Sequence, residues 1–145
     1  MKFIKWFPIP LEWKARIAIA FQKKFALSSL AVIVNKKQQV LLFHHTYRHT
    51  PWGLPGGFLG NEDPESAIKR EILEESGLQI SNLKIVTVKL NKVLRRLVIC
   101  YTTNSIEGEF APSNEVSEMK YFSPNNLPPI PNGQKEIIRQ AFLVN

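Results

Sequence analysis

The chain has 145 residues, the length of one ordinary domain, and with 44% hydrophobic and 21% charged residues it can bury a core, which excludes global disorder. Nineteen Lys and Arg against twelve Asp and Glu leave a net charge of +7, favouring anionic partners such as nucleotides, nucleic acid or an acidic membrane surface. No apolar run approaches the ~20 residues of a bilayer span, and the single cysteine, Cys100, excludes an internal disulfide and fits a small buried residue in a reducing cytoplasm.

Residues 1–24 read as an N-terminal extension ahead of a domain over 25–145. Pro8 and Pro10 punctuate an extended entry, and with Glu12, Lys14 and Arg16 they interrupt any signal-peptide core. Leu11 to Lys24 is predicted helical, with Leu11, Ala15, Ala18 and Phe21 at spacings of three and four. One reading packs this helix on the domain, its own or that of a homodimer partner. The other has its Lys14, Arg16, Lys23 and Lys24 touch a membrane or another partner. Leu27 to Val34 is a predicted strand, Asn35-Lys36-Lys37 a turn, and Gln39 to His44 a returning strand. Thr46 to Pro55 is irregular, and the glycines at 56, 57 and 60 crowd the loop beyond it.

Asp63 to Ser76 is the clearest helix: Asp63 is a good N-cap, Pro64 fits the first helical position, and Gly77 is placed to end it. Leu83 to Leu90 and Leu94 to Thr102 pair around Asn91-Lys92, Val116 to Phe122 is a further strand, and Pro124 to Pro131 a connector. Gln134 to Phe142 is a terminal amphipathic helix. This order predicts an α/β fold with a mixed sheet.

Three carboxylates, Glu71, Glu74 and Glu75, fall at offsets of three and four on the Asp63 to Ser76 helix. Like charges so placed repel, and only Arg70 is close by. A divalent cation among them turns the cluster favourable, and hard oxygen ligands suit Mg²⁺ or Mn²⁺. Zinc has no Cys pair or His-Glu-x-x-His helix to bind. Ala67, Ile68, Ile72 and Leu73 are expected to anchor the helix to the sheet. The preceding Gly56-Gly57-Phe58-Leu59-Gly60 lets backbone approach a metal or phosphate closely.

The segment from Gly56 to Leu78, GGFLGNEDPESAIKREILEESGL, carries Gly56, then Glu62 after five residues, then Arg70-Glu71 after seven more. Ile72, Glu74-Glu75, Gly77 and Leu78 follow at fixed spacing. It resembles the signature of the Nudix hydrolases at every fixed position, with Trp52-Gly53-Leu54-Pro55 similar to the usual lead-in. The loop looks one residue shorter than usual, with Asn61 in place of a glycine before Glu62. The resemblance implies an α/β/α sandwich with a mixed sheet, plus the extra N-terminal helix. It also implies a pyrophosphohydrolase that cleaves the diphosphate linkage of a nucleoside diphosphate joined to another moiety. Glu71, Glu74, Glu75 and the Gly56 carbonyl are then the metal ligands, with Glu115 best matching a further carboxylate and Glu118 second. Glu74 and Glu71 are catalytic candidates, and Arg70 holds a carboxylate in place.

Arg48 is a candidate substrate contact, whereas His44, His45 and His49 read as surface or strand-end residues. Lys89, Lys92, Arg95 and Arg96 along the second hairpin suit either phosphate recruitment or a solvated edge. The expected partner is a nucleotide-type small molecule. The competing expectations are removal of pyrophosphate from an RNA 5′ end, which the charge suits, and a non-catalytic binding module of the same fold.

Overall fold

The computed structural model describes residues 10–144. The predicted extended entry before Pro10 lies outside these residues. In chain order the elements are α1 (Leu11–Ala20), β1 (Ala26–Ile33), β2 (Val40–His45), β3 (Trp52–Gly53), β4 (Gly56–Phe58), α2 (Pro64–Ser76), β5 (Gln79–Ser81), β6 (Lys84–Asn91), β7 (Arg96–Thr103), β8 (Ser105–Glu107), β9 (Val116–Phe122) and α3 (Gln134–Val144).

A four-stranded sheet runs β4-β1-β7-β6, a three-stranded sheet β3-β2-β9, and β5 pairs with β8. The β1–β7 pair is parallel and the other strand pairs are antiparallel, so the main sheet is mixed as expected. Period-two alternation sends successive side chains of one strand into two different cores. Ala31, Ile33, Leu41, Phe43, Ile99 and Tyr101 pack with Ile68 and Ile72 of α2. Their neighbours Val32, Val34, Val40, Leu42, Val98 and Cys100 pack with Ile137, Ile138 and Ala141 of α3. The two helices therefore cover opposite faces, giving the α/β/α sandwich. Cys100 is buried, and burial pushes its thiol up to about 11.

Three expectations change. The first two strands do not form a simple hairpin: they share only a bridge at Val34 and Val40, and then diverge into different sheets. Asn35 closes the turn at that bridge by accepting from the Lys37 and Gln39 amides, while Gln38 takes φ 59°. The glycine-rich loop contributes β4, paired antiparallel to β1. Finally, α1 ends at Ala20 and none of its residues is buried, so it does not pack on the domain. Its apolar residues, including Trp13, Ile17 and Ile19, are not segregated to one stripe that a sheet could cover. No helix among the described residues is long and apolar enough to cross a membrane.

Candidate active site

The site is built on α2, whose ends are fixed as the sequence indicates. Asp63 accepts from the Glu65 and Ser66 amides, and Gly77 adopts φ 72° while donating to Leu73 O at 2.8 Å. Ala67, Ile68 and Ile72 form the inner face, but Leu73 does not join them and is 46% exposed. One residue beyond Ile72 the helix has turned ~100° away from the core. Ser76, four residues after Ile72, takes the buried place and donates its hydroxyl to Ile72 O at 2.6 Å.

The strand β4 forms the floor. Gly56 has φ 140°, and a Cβ there would run into Ser29 O and lie 2.9 Å from Leu30 Cα, so only glycine fits against β1. A Cβ on Gly57 would collide with the Glu71 carboxylate. The carboxylate thus lies directly over bare backbone, an approach that any larger residue would block.

Arg70 gathers the surrounding acids. It donates to Glu62 through Nε at 3.0 Å and Nη2 at 2.7 Å, to Glu74 through Nη1 at 2.8 Å, and to Phe58 O at 3.3 Å. The same Nη1 lies 3.0 Å from Glu71. Glu62, held below the usual carboxylate range chiefly by the Arg70 hydrogen bond, ties the loop to the helix.

Glu75 is 5% exposed, and its Oε2 has no hydrogen-bond partner. Burial pushes its pKa up to about 7; Glu71 and Glu115 push the same way, while Arg48 and the Gly56 amide oppose them. Glu115 reaches this position because the chain before β9 is tied to β2. The Thr46 amide donates to Glu115 O at 2.9 Å and its hydroxyl to Asn114 O at 2.8 Å. Glu71, Glu74, Glu75 and Glu115 accordingly line one recess, of about 230 Å³, whose lining does not include Glu118. Among the described residues no three His, Cys, Asp or Glu side chains are drawn closely enough to hold an ion as they stand. Glu71 and Glu74 are instead both paired with Arg70 Nη1.

The recess opens beside a cleft of about 550 Å³ lined by Glu71, Glu75 and Glu115 together with Arg48, Arg96 and Gln134. Arg48 is held over Tyr47, its guanidinium 5.5 Å from the ring centre and Nη2 donating to the hydroxyl at 3.3 Å. Arg96 lies 5.8 Å from the Phe58 ring centre, and its buried Nε has no partner. Sequence reasoning had placed Arg96 on the hairpin without assigning it to the cleft. It overlooked Gln134, whose Oε1 accepts from Leu54 N at 2.8 Å and so fixes the loop entering β4. Only the three-dimensional return of α3 to that loop reveals it. His45 is a strand-end residue, as one of the two readings has it, but it is 1% exposed and so not a surface one, because β2 is covered on both faces. Burial first, then Arg48 and His44, lower its pKa to about 4.

A mixed-sheet sandwich with this acidic helix over a glycine strand defines a family, and the chain belongs to it: the NUDIX domain model matches residues 24–141. Relatives include the NAD-capped RNA hydrolase NudC of Vibrio vulnificus, 28% identical over 120 residues, covering 79% of this chain and 46% of that protein. The NudC of Pseudomonas aeruginosa is 29% identical over 122 residues, with coverages of 79% and 42%. The chain thus spans less than half the length of these relatives. Among solved structures, the MutT NUDIX hydrolase of Burkholderia pseudomallei superposes with a TM-score of 0.70 at 23% identity, covering 81% of this chain and 98% of that one. The NUDIX domain of Shewanella oneidensis NrtR, complexed with ADP ribose, gives 0.72 at 21% identity, with coverages of 94% and 98%. These likenesses establish the shared fold.

Proposed function

We propose that the chain is a metal-dependent pyrophosphohydrolase that cuts the diphosphate linkage of a nucleoside diphosphate joined to another group. The observation that carries this reading is Glu75: a buried carboxylate with an orphaned oxygen, beside Glu71 and Glu115, at the edge of a cleft bearing Arg48 and Arg96. Burying a carboxylate among like charges is costly unless a cation offsets it. The donors are all oxygen, which fits Mg²⁺ or Mn²⁺. Glu71, Glu74, Glu75, Glu115 and the Gly56 carbonyl would hold the ion, with Glu74 and Glu71 exchanging Arg70 for it. Bound there, the ion would polarise a phosphoryl oxygen and offset the charge that develops as the bridging P–O bond breaks.

The chain's own residues supply the rest. Arg48 and Arg96 bind the diphosphate oxygens, and the absence of a side chain on Gly57 lets the Glu71 carboxylate lie against the floor of the cleft. Glu71 takes the proton of the attacking water, with Glu74 the alternative acceptor at the rim. Arg70 orients both. Water adds to phosphorus, the bridging oxygen leaves with the other half, and two phosphomonoesters result. A panel of nucleotide sugars, dinucleotides, ADP-ribose and nucleoside triphosphates, with and without Mg²⁺ or Mn²⁺, tests this. Turnover only with an ion supports the reading, and none with any member of the panel rejects it.

A second reading, hydrolysis at a modified RNA 5′ end, is favoured by a compartment of about 600 Å³ adjoining the cleft through Leu30, Arg96, Pro131 and Gln134. It is lined by Lys89 and Lys92. Two relatives named above are NAD-capped RNA hydrolases, and Lys89, Lys92 and Arg96 in an otherwise largely apolar compartment that also carries Glu136 can meet phosphates beyond the diphosphate. Steep loss of RNA affinity with salt, together with release of a monophosphorylated end, distinguishes it. The intact carboxylates at 71, 74, 75 and 115 stand against a purely binding module.

A further inference from the structure

One end of the four-stranded sheet carries apolar and basic side chains that the catalytic reading does not use. The β6–β7 tip exposes Val93 at 91% and Leu94 at 65%, flanked by Lys92 and Arg95. The start of β1 lies against this tip: Ala26 N donates to Arg95 O at 2.8 Å, and Ala26 pairs with Arg96. Phe25 and Leu27 are exposed there, preceded by exposed Lys23 and Lys24. Leu59 N donates to Leu27 O at 2.9 Å, and exposed Phe58 pairs with Ser28, which adds the edge of the glycine strand to the same end.

Two features identify the occupant. The segments 21–30 and 91–100 contain no Asp or Glu, so every charge on these two segments is positive. Val93 and Leu94 also project from the hairpin tip and line neither the cleft nor the compartment beside it. A soluble domain rarely leaves so many apolar side chains together in water without a use. Protruding aliphatic and aromatic groups ringed by Lys and Arg match a surface that is apolar below and anionic above. The most exposed side chain of this end, Val93, and its neighbour Leu94 are aliphatic and offer nothing for base stacking, so the tip itself suits a lipid surface better than a single-stranded nucleic acid, with Phe25 and Phe58 set back from it just before β1 and on β4.

We infer that the start of β1 and the β6–β7 tip together form a docking face for an anionic lipid bilayer. The face inserts Val93, Leu94 and Phe25 at headgroup level and holds the headgroups with Lys23, Lys24, Lys92 and Arg95. Both elements contribute, so each alone binds weakly. The inference is independent of the hydrolase reading, since it concerns no residue of the carboxylate recess.

Flotation of the full chain with phosphatidylcholine vesicles, with and without phosphatidylserine and at low and high salt, tests it. The expected result is association about tenfold stronger with the anionic vesicles, falling with salt because surface charge is screened. The double variant Val93→Ser/Leu94→Ser changes only exposed tip residues and should lose flotation while keeping its circular dichroism spectrum. Lys23→Glu/Lys24→Glu should lose the preference for anionic vesicles. Equal binding to both vesicle types, or none to either, overturns the inference. So does a chain that is dimeric in solution and becomes monomeric in the Val93→Ser/Leu94→Ser variant, or one whose tip variants lose RNA retention but not flotation.

Discussion

Glu75 sets burial against charge, since its carboxyl is enclosed beside Glu71 and Glu115 and its pKa is pushed up to about 7. Replacing it with glutamine keeps the shape and removes the like-charge repulsion. Glu75→Gln is expected to raise the melting temperature of the metal-free protein at pH 8 while lowering kcat/KM at least ~10³-fold, the scale of losing a principal electrostatic contributor. Unchanged kinetics would remove Glu75 from the proposed ligand set. Gly57→Ala is a separate check, because its Cβ meets only the Glu71 carboxylate, a side chain that can move. Displacing that group should cut kcat by ~10²-fold with little change in stability. Equal losses of activity and stability would argue for a structural role.

His45 gives the fold an acid-side weakness. Its pKa is lowered to about 4 from 6.5, so the folded state refuses a proton that the unfolded chain accepts. Stability from the neutral ring is intact above pH 6.5 and drains as pH falls from 6.5 toward 4, by up to about 3 kcal/mol. Urea unfolding of wild type and His45→Leu at pH 7 and pH 5 measures this. A shallower loss on acidification is expected in the variant, and identical losses would contradict it. No sequence signal separated His45 from His44 and His49. Burial of a strand-end histidine depends on β3 and β9 flanking β2, a nonlocal pairing.

At the scale of elements, α2 was legible because its signals are local. Its N-cap, first-turn proline, left-handed C-terminal glycine and acidic spacing all act within the helix. Gly77→Ala forces a side chain into φ 72°, with its Cβ 3.3 Å from Glu109 O, and should cost about 1 kcal/mol in chemical denaturation. A neutral or stabilising effect would mean that the helix end relaxes. The short strands β4, β5 and β8 were not legible. At three residues each they carry no period, and they exist because β1 or a neighbouring ribbon supplies hydrogen-bond partners. The same holds for the site. The helix carboxylates and the Arg70–Glu74 pair could be read from spacing, whereas the inward placement of Glu75 and the part of Gln134 depend on elements far apart in sequence.

For the whole molecule, the family match begins at residue 24, and α1 before it buries nothing. We therefore propose that residues 25–145 are the folding unit. Deleting residues 1–24 should leave the melting temperature within a few degrees, as expected when few buried contacts are removed. Turnover of a small substrate should persist too, and cooperative unfolding lost with the deletion would show instead that the extension belongs to the core. The +7 charge acts at this same scale, favouring capture of polyanionic substrates and surfaces alike, and it predicts affinities that weaken with salt.

The most direct test of the account is ³¹P NMR of a dinucleoside diphosphate incubated with the wild-type chain and with Glu75→Gln, in Mg²⁺ and in chelator. The account predicts that the diphosphate signal is replaced by two phosphomonoester signals with wild type and Mg²⁺ alone. Conversion that persists in chelator, or that proceeds equally well without the Glu75 carboxylate, would contradict it.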